Sequence, residues 1–126
     1  MNTELENKLK QIKIEDYIWI IYIGIIIISW YSNYLEKNYY LYNDLDSKKK
    51  YRITLIIIFS ILLVVYYYFL KSSYEDYLNL KPSDSPKKKN LVTLSLLGST
   101  FIFISGLIYL YIAYTDQDLN VEIAFN

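Results

Sequence analysis

The sequence predicts an all-α integral membrane protein with three transmembrane helices, and three observations predict it. Uncharged runs at 17–35, 53–70 and 91–114 each reach the roughly 18 to 20 residues that a helix needs to cross a bilayer's hydrocarbon core. All 13 basic and 13 acidic side chains lie between or outside those runs, whereas a soluble domain with 54% apolar residues spreads them at helix or strand period. Strands are excluded on physical grounds, because only a helix or a closed barrel satisfies its backbone groups in hydrocarbon, and the many alternating segments of a barrel are absent. The chain is therefore read as a single membrane domain over 1–126: a polar amino-terminal tail (1–16), three spans joined by two polar connections, and an acidic tail (115–126).

In the amino-terminal segment Thr3 and Glu6 have capping-box spacing, and Leu5, Leu9 and Ile12 share one helical face. A short helix on the membrane surface and a frayed hydrophilic tail both fit, since an isolated helix of this length is marginal in water. Its four acidic residues, and the lack of a small-residue cleavage site after the apolar run, fit a signal peptide poorly, so the first span is expected to stay attached.

The first span is rich in isoleucine, from Ile18 to Ile28, with Tyr17 and Tyr34 set about 26 Å apart on a helix, near the spacing of the two interfaces. Residues 36–52 are expected to form a polar connection whose tyrosines rest among headgroups. Its Lys48, Lys49, Lys50 and Arg52, interleaved with aromatics, admit a nucleic-acid reading, but a basic group beside a membrane segment favours lipid phosphate. The second span ends in Tyr66, Tyr67, Tyr68 and Phe69, which point around most of the helix and read as an interfacial belt. Residues 71–90 hold both prolines, Pro82 and Pro86, which stop any helical extension. Lys87, Lys88 and Lys89 are expected to contact lipid headgroups, and Ser83 and Ser85 beside them admit a phosphorylation switch or, more simply, a solvated loop.

The third span is the longest, with 24 residues and about 36 Å of helix against a core of about 30 Å. Ser95, Gly98, Ser99, Ser105, Gly106 and Ala113 fall on about one third of its circumference at 100° per residue. Small side chains let another helix approach closely, so this face is the expected packing site.

No reaction can be read from the chain. Cysteine and histidine are absent, which removes disulfides, thiol chemistry and the usual zinc, copper and haem sites, and no cofactor is expected. The spans contain no Asp, Glu, Lys, Arg or His, so neither a proton relay nor an activated serine nucleophile is expected, and Ser29, Ser60 and Ser105 read as hydroxyls bonded to their own helices. A net charge of zero with scattered basic groups gives no reason to expect nucleic acid.

Asp16-Tyr-Ile-Trp-Ile, Tyr31-Ser-Asn-Tyr-Leu-Glu-Lys37, Asn43-Asp-Leu with the lysine cluster behind it, and Gly106-Leu-Ile-Tyr-Leu-Tyr111 together resemble small three-span membrane proteins of large nucleocytoplasmic DNA viruses. That family has no assigned activity, so the resemblance implies a viral membrane setting and brings no catalytic residues. Two functional classes follow: a non-enzymatic structural or interaction component packing with copies of itself or with another membrane protein, and a small homo-oligomeric pore lined by glycine and hydroxyl faces.

Three spans place the amino terminus and second connection on one side, with 8 lysines, and the first connection and carboxyl tail on the other, with 5 lysines or arginines. The basic excess predicts a cytosolic amino terminus and a carboxyl terminus on the opposite side. A glycosylation acceptor engineered into the carboxyl tail should be modified and one in the amino-terminal tail should not; the converse pattern reverses the topology.

Overall fold

The computed structural model describes residues 2–123. They form three helices, α1 (Thr3–Tyr42), α2 (Leu45–Leu78) and α3 (Pro86–Thr115), with no strand among the described residues. The three apolar runs lie inside these helices, and every helix outruns its own. α2 and α3 are long and apolar enough to cross a membrane, two helices where three spans were expected. In α1 the isoleucines are interspersed with Trp19, Tyr22 and Gly24 and give way to the polar stretch 29–33, which dilutes the run.

The chain divides into two compact units, Met1–Thr54 and Leu55–Asn126, with the boundary inside α2. In the first unit α1 starts one residue earlier than the capping-box spacing implies. Asn2 is the cap, its Oδ1 accepting from Glu4 N–H at 2.8 Å. The 40-residue helix then runs unbroken through the segment expected to be a tail. Ile18, Ile25 and Ser32, each seven residues from the last, are buried together with Leu35, the spacing of a left-handed helix seam.

The connection expected over 36–52 shrinks to two residues. Asn43 takes a left-handed conformation, φ 50°, which asparagine tolerates better than most side chains and which closes α1. Asp44 then caps α2: its Oδ1 accepts from Asp46 N–H (3.1 Å) and Ser47 N–H (3.4 Å), and its Oδ2 accepts from the Ser47 hydroxyl (2.8 Å). Composition suggested a headgroup loop, but Tyr39, Leu41, Lys48 and Lys49 are all residues a helix accepts, and this cap pair needs only two positions to reverse the chain. Those hydrogen bonds from Ser47, with a smaller contribution from Lys50, hold the Asp44 carboxyl below its usual range.

In the second unit, α2 buries Leu55, Ile58, Leu62 and Val65 at alternating spacings of three and four, so one face is covered. Pro82 stops the chain as expected, with α2 ending at Leu78, and α3 begins on Pro86 at the first helical position, where its missing N–H costs nothing. Ser85 caps it through Oγ, accepting from Lys88 N–H at 3.1 Å. Beyond α3, Asp116 accepts from the N–H groups of Asn120 and Val121, both at 2.9 Å, which lowers its pKa and holds Leu119 at φ 54°. The tail that results buries Ile123.

Asp44→Ala should lower the thermal midpoint of the detergent-solubilised protein by a few degrees at neutral pH. Because the folded pKa is depressed, the stabilisation is complete above the usual carboxylate range and disappears as pH falls through the lowered value. The gap between parent and variant, followed by circular dichroism, should therefore close on acidification.

Candidate functional site

Within the second unit α2 and α3 lie antiparallel, and their contacts fix the register. Phe59 stacks on Tyr109 with ring centroids 5.6 Å apart, Tyr67 meets Phe103 at 6.2 Å, and Ser73 Oγ lies 2.8 Å from Ser99 Oγ and 3.5 Å from Ser95 Oγ. Between these contacts α3 presents Gly106. A Cβ built there would sit 3.0 Å from Cδ2 of Tyr66 and 3.2 Å from Cδ2 of Leu63, so the ring and the leucine occupy the space a side chain would need.

The six small residues expected on one face separate into two groups. Gly106 and Ala113 are buried, Ser99 is half-buried against Ser73, and Ser95, although exposed, reaches the same hydroxyl. Gly98 and Ser105 are exposed on the flank of that strip, and a Cβ at Gly98 would meet nothing within 4 Å. The strip facing α2 is thus Ser99, Gly106 and Ala113, seven residues apart, and α2 answers with Phe59, Tyr66 and Ser73 at the same interval. Sequence reasoning did not find these α2 partners. Their spacing of seven was the available signal, masked because Tyr66 stands among three tyrosines and Phe69.

The basic residues are partly occupied within the protein. Lys48 Nζ lies 5.2 Å from the Tyr39 ring centroid, Lys50 pairs with Asp46 at 3.1 Å, Lys49 is exposed and Arg52 is half-buried. The Lys50 pKa is raised, chiefly by the hydrogen bond to Asp46. At the start of α3, Lys88 pairs with Asp84 at 3.2 Å, Lys89 Nζ donates to the Pro82 carbonyl at 3.1 Å, and Lys87 is exposed. Asp84 also accepts from Lys81 N–H at 2.7 Å, the main cause of its lowered pKa.

Side-chain hydroxyls bond back to their own helices at Ser32, Thr54, Thr93, Thr100 and Thr115. Ser29 does not follow this expected pattern: its carbonyl accepts from the Ser32 hydroxyl, and its own Oγ is buried without a partner. Ser60 and Ser105 are exposed. Among the described residues no group of three carboxylates gathers as a metal site. The chemistry the α2–α3 interface offers is close packing and serine-to-serine hydrogen bonding. No protein-family model, curated protein or solved structure matches the chain.

Gly106→Leu should disrupt the α2–α3 pair, costing on the order of 1–3 kcal/mol as overpacking does, while Gly98→Leu on the exposed flank should leave it intact. Thermal melting of both variants in detergent checks this, with Ile104→Leu as the second neutral control. Equal midpoints for the two glycine variants would show that the close approach at Gly106 does not hold the pair.

Proposed function

We propose that this chain is a non-enzymatic multi-pass membrane protein, a structural or interaction component whose spans pack with copies of itself or with another membrane protein. One observation carries the reading: only 6% of the most apolar stretch of α3 is buried. A soluble protein keeps so apolar a helix inside its core, because large exposed apolar patches are unfavourable in water. Lipid is the solvent in which Phe101, Ile102, Ile108 and Tyr111 rest exposed at no such cost.

The proposal includes a third span over 17–35 within α1, which holds no charged residue and leaves Trp19, Ile20, Ile23, Ile26 and Ile27 exposed. With it, the basic excess supports a cytosolic amino terminus. The resemblance of the short motifs at 16–20, 31–37, 43–45 and 106–111 to small three-span viral membrane proteins favours a viral membrane as the setting. Lys49 and Lys87, exposed at the ends of apolar runs, favour contact with lipid headgroups.

The protein should remain with membranes through alkaline carbonate extraction and leave them only in detergent. Crosslinking in the native membrane should then give discrete adducts with itself or with one other membrane protein. Recovery in the soluble fraction overturns the membrane reading, and steady single-channel conductance of the purified protein in planar bilayers replaces the structural role with a pore.

A further inference from the structure

The α2–α3 register puts a lysine where the two helices disagree about the edge of the membrane. On α2 the uncharged run stops at Leu70 and Lys71 follows. The Ser73–Ser99 hydrogen bond sets that point level with the middle of the α3 run, which continues toward Leu91 for about three further turns. Beside Lys71, on the flank of the α2–α3 contact, lies an open groove of about 450 Å³, lined by Tyr67, Leu70, Lys71, Tyr74, Leu96 and Thr100. Its size is within the roughly 300–1,000 Å³ of small-molecule sites and its surface is predominantly apolar.

The polar groups at this groove differ in what they are free to do. The Thr100 hydroxyl is committed to the Leu96 carbonyl at 2.8 Å. Lys71 is exposed and pairs with no carboxylate among the described residues, including Glu75 one turn along its own helix. Tyr67 and Tyr74 are both more than half exposed, at 57% and 51%, and their amphipathic rings suit the border between hydrocarbon and headgroups.

We propose that this groove binds one anionic phospholipid, an acyl chain lying against Leu70 and Tyr67 and the headgroup phosphate paired with the Lys71 ammonium. The occupant follows from charge and depth. Among the described residues Lys71 pairs with no carboxylate, it lines the groove one residue past the end of the uncharged α2 run, and at that level in a bilayer a lysine must either snorkel away or meet an anion that arrives with its own apolar tail. The proposal rests on the membrane reading above and adds a defined lipid and a defined residue to it.

Native mass spectrometry of the full-length protein, released from detergent micelles with equal amounts of phosphatidylglycerol and phosphatidylcholine, provides the test. The parent should retain one phosphatidylglycerol in preference to phosphatidylcholine, Lys71→Gln should weaken that preference about fivefold, and Lys71→Arg should keep it. Leu96→Trp, which fills the groove, should reduce retention of both lipids, and Lys8→Gln, at an exposed position near the start of α1, should change neither. The proposal is overturned if the parent shows no preference, if Lys71→Gln leaves the preference intact, if soluble glycerol phosphate displaces the lipid, or if Leu96→Trp changes only the oligomeric state, which would make a second copy the occupant. Carbonate extraction of the same membranes separates the two failures: a protein that stays with the membrane but shows no lipid preference loses this site alone.

Discussion

The pairing of α2 with α3 depends on a missing side chain. In lipid, the setting proposed for this pair, two apolar helices have no hydrophobic reason to associate, so the van der Waals attraction of closely packed surfaces and the few hydrogen bonds that close packing permits would hold them. At Gly106 the Tyr66 ring and the Leu63 side chain already stand at 3.0 and 3.2 Å from where a Cβ would be. The Phe59–Tyr109 stacking and the Ser73–Ser99 hydrogen bond, to either side of this point, need the helix separation that Gly106 allows. Ala113 and Ser99 keep the approach narrow one repeat away in each direction.

Much of this is legible in the residues, for reasons that differ by element. The helices and the apolar runs inside them follow from absence of charge over long stretches, a signal that tertiary context cannot easily override in hydrocarbon. The small-residue face of α3 is legible as a face, since its angular position depends only on helix geometry. Which part of that face meets α2 is not, because Gly98 and Gly106 look alike until a second helix stands beside one of them. The turn at Asn43 and Asp44 is hidden for another reason. Both residues are strong reversal signals, but they stand inside a long polar stretch, and composition alone does not distinguish a 17-residue loop from two helix ends and a cap.

The polar groups are handled locally. Asp44, Asp84 and Asp116 each accept local hydrogen bonds at a chain reversal or helix end, and these lower each pKa: chiefly the Ser47 hydroxyl at Asp44, the Lys81 N–H at Asp84, and the Asn120 and Val121 N–H groups at Asp116. Among the described residues, Lys50 and Lys88 find acids one helical turn away. These exposed pairs contribute little to stability.

If the pair crosses a bilayer, as proposed, the unequal lengths of its two apolar runs decide how it does so. The α2 run of 18 residues is about 27 Å long and the α3 run of 24 about 36 Å, on either side of a core of about 30 Å. The Phe59–Tyr109 stacking brings the Ile53 and Tyr114 ends of the runs close to one level, so nearly all the excess falls at the Lys71 end. Drawing Lys71 to the bilayer centre would cost about 2.5–3.5 kcal/mol, but it lies at the end of its run, and its flexible stem reaches the headgroups when the boundary passes near it. The α3 residues beyond that level, Leu91, Leu94 and Leu97, then rest in the interface, at a mismatch cost of only fractions of a kcal/mol per Å. In a bilayer the boundary would therefore follow the shorter run. Ser73, Ser95 and Ser99 would then be grouped at the depth where water and phosphate begin, with the hydrogen bond that fixes the register beside Lys71 instead of in the middle of the membrane.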